Sequence, residues 1–145
     1  MFATSIALIT SDIASKTVGI TINSLSSILG YMSVRSEDVA TQKYHEQLQT
    51  LDIDFKLKLV KHWLDNIKTE TIDTNSNVHM IYGGISEICH SINVCLERID
   101  AKIKEHHSKW FHTWRTLYLD DEIINVKKNT KILNERIKLI DLISL

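Results

Sequence analysis

The chain contains no proline, only four glycines and only two cysteines in 145 residues. With glycine confined to Gly19, Gly30, Gly83 and Gly84, long stretches carry neither of the two strongest breakers of regular structure, so long helices are expected. Cys89 and Cys95 on one helix would be separated by ~9 Å of rise, beyond the reach of a disulfide. They read as reduced thiols, which favours an intracellular setting. No apolar run is long enough to span a bilayer. The apolar residues after Met1 lack a preceding basic region and are interrupted by Asp12 and Lys16, which argues against a secretory signal. An excess of one charge is also missing: 17 Lys and Arg against 18 Asp and Glu leave a net charge of −1. Without a strong field toward phosphates, nucleic acid is an unexpected partner.

What is present is an ordinary globular balance, 43% hydrophobic and 24% charged. A chain of this length can bury about 68–70% of its unfolded surface and support its own core. Isoleucine is frequent beside Lys, Asn, Ser and Thr. AT-rich coding produces that bias in some large DNA viruses, protists and bacteria, and it suggests a component of a viral particle.

Residues 1–33 form a Ser/Thr/Ile-rich zone expected to be one amphipathic helix, followed by a helical core over 34–145 within a single domain. Phe2, Ile6, Ile9, Ile13, Ile20 and Ile28 keep one stripe in phase at ~3.7 residues per turn, and Val18, Ile22, Leu25, Leu29 and Met32 form a second beside it. Ser36, followed by Glu37 and Asp38, reads as the cap of a second helix running to about Thr69. Ile53, Leu57, Val60, Leu64 and Ile67 are its core face. Leu51, Ile53, Phe55, Leu57 and Leu59 also alternate as a strand would, but no turn residues bound them. Asp73 to Asn77 is a cluster of turn formers. Beyond it Ile81, Ile85, Ile88, Ile92, Leu96 or Cys95, Ile99 and Ile103 sustain helical spacing, with Gly83 and Gly84 placed for a close crossing or a bend. His106, His107 and Ser108 suggest a break before a fourth helical region that lines up Trp110, Trp114 and Tyr118. A kink near Asp120 precedes Ile123, Val126, Leu133, Ile137 and Ile140. The expected fold is all-α, an antiparallel bundle of about four long helices joined by short connections.

Seven histidines and two cysteines invite a metal site built from His106, His107 and His112 with Cys89, His90 and Cys95. Neither C-x-x-C nor H-x-x-x-H occurs, and the two cysteines point about 120° apart on a helix. No metal and no cofactor are therefore expected. Glu87 and His90 supply half of a di-iron motif whose other half is missing. Asp52 and Asp54, or Asp120, Asp121 and Glu122, read as solvated faces and a helix cap. Phosphate loops, nucleophile elbows and dinucleotide fingerprints are absent, so no enzyme is expected.

The surfaces carry the functional expectation. Trp110, Trp114, Arg115 and Tyr118 are residue types enriched in binding hot spots, although the same spacing suits a packed aromatic end to the core. Phe2, Ile6, Ile9, Ile13 and Ile20 suit a partner helix, or a loosely packed lipid surface. The expectation is a structural or scaffolding protein that assembles with itself or other proteins through apolar helix faces, in the cytoplasm or a virion. The alternatives are a peripheral membrane protein using the N-terminal helix, and a His-rich metal-binding or enzymatic bundle.

Overall fold

A computed structural model describes residues 10–35, 37–67, 76–112 and 115–143, side chains at 76, 77 and 143 excepted. The helices are α1 (Ser11–Ser33), α2 (Val39–Thr50), α3 (Ile53–Asp65), α4 (Ser76–His107), α5 (Asp120–Lys138) and the single turn α6 (Ile140–Ile143). The described residues include no strand, so the all-α bundle expected from the sequence is what forms.

In α1, the Thr10 hydroxyl caps the first turn by accepting the Ile13 N–H at 3.3 Å. The buried face is Ala14, Val18, Leu25, Ile28 and Met32, interleaved with buried Ser11, Ser15 and Thr21. The stripe drawn through the larger isoleucines is mostly outside it: Ile13 is 43% and Ile20 55% exposed. The neighbouring stripe is the core stripe, because the small residues Ala14 and Thr21 complete its helical spacing and allow the backbones of adjacent helices to approach. Phe2, Ile6 and Ile9 lie outside the described residues.

The second helix does not run unbroken to Thr69. Asp38 rather than Ser36 caps α2, its Oδ1 accepting the Thr41 N–H at 3.2 Å; Ser36 lies outside the described residues. The chain then breaks at Leu51 and Asp52, where Asp52 takes the left-handed conformation, φ 55° and ψ 33°. The core residues explain the break. Thr41, Tyr44 and Leu48 face inward from α2, and Ile53, Leu57, Val60 and Leu64 from α3. Leu48 and Ile53 are five positions apart, where one continuous face steps by three or four, so the break brings both stripes onto the core. Phe55 and Leu59, which would share a face with Ile53 and Leu57 in a strand, are exposed.

The long helix α4 forms the spine, burying Ile85, Ile88, Cys89, Ile92, Cys95, Leu96, Ile99 and Ile103. It continues through Gly83 and Gly84. The Gly84 carbonyl accepts Arg136 Nη1 from α5 at 2.5 Å, and a Cβ there would only reach ordinary contact with Arg136. Helix α5 buries Ile123, Val126, Thr130 and Leu133. Thr130 fills the gap in the apolar spacing by donating its hydroxyl to the Val126 carbonyl at 2.7 Å.

Successive rods alternate in direction, but sequence neighbours are not always spatial neighbours. Helix α1 lies along α3 and α4, and α5 lies along α4. Thr17 meets Ser86, Thr21 meets Cys89 and Tyr31 meets His107, so α1 and α4 run parallel. Ser15 against Asp65 makes α1 and α3 antiparallel, and Gly84 against Arg136 with Lys102 against Glu122 does the same for α4 and α5. Helices α3 and α4 are therefore antiparallel, and Trp63 of α3 meets Tyr82 of α4 with ring centroids 6.0 Å apart.

Candidate functional site

At one end of the bundle α1 stops, α2 starts and α4 stops, and four side chains meet there. Asp38 is 3% exposed. While its Oδ1 caps α2, its Oδ2 lies 3.0 Å from His107 Nε2, 3.4 Å from His106 Nε2 and 3.8 Å from His112 Nδ1. His106 and His107 come from the last turn of α4, and His112 from the segment that follows it. The three imidazole centroids are 5.2, 5.3 and 5.9 Å apart. Among the described residues, one ligand atom from each of these four side chains falls within 4.8 Å of every other.

His107 is held from both sides. Its Nδ1 is 3.3 Å from the Tyr31 hydroxyl, its Nε2 is 3.1 Å from Thr41 Oγ1, and its ring stacks on Tyr31. The Arg35 guanidinium lies 3.4 Å from the Tyr31 ring centroid. Burial lowers the pKa of His107 and outweighs the attraction of Asp38, with Arg35 and His106 pushing the same way as burial. Burial works against ionisation of Asp38, but the Thr41 N–H, the His107 hydrogen bond, the Thr41 hydroxyl and nearby His106 together leave its carboxyl below the usual range. His106 Nε2 and His112 Nδ1 are buried without a hydrogen-bond partner among the described residues.

Three of the six side chains grouped as a metal set in the sequence thus come together, and the other three do not. Cys89 and Cys95 are core thiols; burial pushes Cys89 up to about 12 and raises Cys95. His90 is exposed. Glu87 pairs with Arg136 at 3.2 Å. The fourth member, Asp38, is visible in the sequence only as a helix-start residue, since nothing there connects it to a histidine pair 68 positions away.

The aromatic segment beyond the cluster is not a fourth helix. Trp110 and Phe111 lie in a tight turn, with Phe111 at φ 58°, and residues 115–119 are irregular up to Asp120, where α5 begins. The acids Asp120, Asp121 and Glu122 occupy the first turn of α5, where they complement the helix dipole. Trp110 is 84% exposed, and Phe111, Arg115 and Tyr118 are exposed too, so these side chains do not form a packed end to the core. Arg115 Nε donates to the Trp110 carbonyl at 3.0 Å. Trp114 lies outside the described residues.

At the opposite end, Met80, Ile81, Gly84, Leu139 and Leu142 line a groove of about 630 Å³ whose polar members are Glu87 and Arg136. Among the described residues, no helix is long and apolar enough to cross a membrane.

No protein-family model and no solved structure matches the chain. It is similar to an uncharacterized protein of Acanthamoeba polyphaga mimivirus. The two are 32% identical over 75 residues, which are 52% of this chain and 36% of that protein. The match spans little more than a third of the relative's length. The composition bias toward AT-rich genomes is thus joined by a weak likeness to a viral protein.

Proposed function

We propose that this is a non-enzymatic structural protein that assembles with copies of itself, end to end, in a virus particle or in the cell producing it. The observation that carries this reading is the placement of two unlike apolar features. Trp110, 84% exposed, projects beyond the C-terminal end of α4, while the Met80, Ile81, Leu139 and Leu142 groove lies at its N-terminal end. From Met80 to its end at His107 the helix rises about 40 Å, which keeps the two features apart. One copy cannot join its own two ends, whereas a second copy can seat the Trp110 knob of one in the groove of the next.

Glu87 and Arg136 at the groove pair with each other at 3.2 Å, as Lys109 beside the tryptophan does with Glu105 at 3.6 Å, so the contact rests on its apolar members. Tryptophan and arginine are the residues most often carrying binding energy at interfaces. A contact between two different surfaces is heterologous, and it closes into a ring or extends as a filament according to the rotation between copies. The likeness to a viral protein supports a viral origin for the assembly.

The test is light scattering across a concentration series. Wild-type protein is expected to gain mass with concentration, and Trp110→Ala and Leu142→Glu each to be helical monomers. Mixing the two variants restores one intact knob and one intact groove, so a dimer is expected. Unchanged assembly in both variants would refute the reading. A peripheral membrane role is the second reading, favoured by exposed Ile13 and Ile20 on α1; Ile13→Glu with Ile20→Glu should then abolish binding to neutral, loosely packed vesicles.

A further inference from the structure

The geometry points to a zinc-type metal site formed by Asp38 Oδ2, His106 Nε2, His107 Nε2 and His112 Nδ1, which ties the end of the bundle together independently of any assembly.

Ligand spacing is the first support. Four ligands placed tetrahedrally around zinc at 2.0–2.1 Å lie about 3.3–3.4 Å from one another. The carboxylate oxygen is 3.0, 3.4 and 3.8 Å from the three imidazole nitrogens, scattered around that value. Rings spread around one point, with their planes inclined at 59° to 74°, can direct their nitrogens to a common centre. All four ligand atoms lie within 4.8 Å of one another, so the widest pair would close by up to about 1.4 Å around an ion.

Unsatisfied chemistry is the second. His106 Nε2 and His112 Nδ1 are buried with no hydrogen-bond partner among the described residues, and both face the same Asp38 oxygen. A buried polar atom left in that state typically costs about 1–3 kcal/mol. One carboxylate oxygen cannot accept well from three imidazole N–H groups at once, and an inward nitrogen without a proton has no donor facing it there. A divalent ion satisfies all four groups at once.

The surrounding contacts are those expected of a metal shell. The non-ligating Nδ1 of His107 faces the Tyr31 hydroxyl, and the non-ligating Oδ1 of Asp38 is fixed by the Thr41 N–H. Three imidazoles and one carboxylate suit zinc and neighbouring late first-row ions rather than calcium or magnesium. Because four protein ligands complete a tetrahedron and leave no open position, the ion's role is structural rather than catalytic. It would join the α1–α2 turn, the end of α4 and the segment bearing Trp110 through one centre.

Full-length protein stripped with chelator and titrated with zinc chloride should bind one ion per chain and melt at higher temperature in its presence. Cobalt(II) in its place should give the intense visible absorption of a tetrahedral centre. His112→Ala, which alters only the segment after α4, should weaken binding by more than about 100-fold while the helical circular dichroism stays unchanged. Tyr31→Phe should weaken it by about 10–100-fold. His90→Ala, which removes an exposed histidine away from the site, should bind as wild type. Asp38→Asn keeps an oxygen that caps α2 but loses the carboxylate the imidazoles face, so it should weaken zinc binding with the helices intact, as His112→Ala should. Binding well short of one ion per chain, or equal affinity in wild type and His112→Ala, would overturn the site.

Discussion

The hydroxyl of Thr21 on α1 donates to the backbone carbonyl of Cys89 on α4 at 3.1 Å, and the Thr17 carbonyl lies within 2.9 Å of the same hydroxyl. One proton serves two acceptors across a pair of parallel helices. This contact shows how a helix rich in serine and threonine can occupy the interior: Thr21 satisfies its hydroxyl on backbone carbonyls and Ser15 on Asp65 and Lys61 of α3, and both are small enough for close approach. Replacing Thr21 with the isosteric Val should cost about 1 kcal/mol. Urea unfolding would show it as a lower midpoint with an unchanged slope.

The assignment of the α1 core face makes opposite predictions for two residues of similar chemistry. Leu25 is 1% exposed, so Leu25→Ala should destabilise by about 2–5 kcal/mol. Ile20→Ala, on the outer face, should change stability by no more than about 0.5 kcal/mol. Thermal melts of the two variants give the comparison directly, and the reverse order would place the isoleucine stripe inside.

Asp52 holds a left-handed backbone conformation between α2 and α3. Glycine takes this conformation without steric penalty, so Asp52→Gly should be neutral or stabilising by up to about 1 kcal/mol. Asp52→Val should destabilise by about 1–2 kcal/mol, because a branched Cβ crowds the following carbonyl. Denaturant midpoints for the pair report whether the break is a fixed feature of the fold in solution.

Acid should weaken the metal-free protein in two stages. His107 has its folded pKa below the usual 6.5, so its contribution is complete above that pH and fades as the pH falls through the lower folded value. Asp38 also has a depressed folded pKa, so its contribution is complete above 3.8 and is lost in stronger acid. In both ranges the unfolded chain binds more protons, and stability rises with pH. Urea midpoints measured in chelator from about pH 7.5 downward should therefore begin to fall below about pH 6.5, and His107→Gln should flatten that first stage.

Which parts of this structure were legible in the sequence follows from the range of the forces involved. Local spacing is enough to specify a helix, so the absence of proline and the regular apolar series from Ile85 to Ile103 and from Ile123 to Leu133 determined the all-α class and the core faces of α4 and α5. The break at Asp52 was also written there, in the five-residue step from Leu48 to Ile53, although no glycine or proline marked it. The choice between the two stripes of α1 was not, because both are apolar and helical, and only the neighbours supplied by α3 and α4 decide which is covered. The same holds for the site. His106, His107 and His112 are close in sequence, but their partner Asp38 arrives from the junction of α1 and α2, because α1 and α4 run parallel side by side and end together. Trp110 is exposed for a related reason: the chain leaves α4 at His107 in a turn, so its aromatic residues lose the helical register that would have carried them into the core. Sequence fixes periodicity, which is local, whereas the meeting of distant side chains depends on helix direction and adjacency, which only the packed bundle decides.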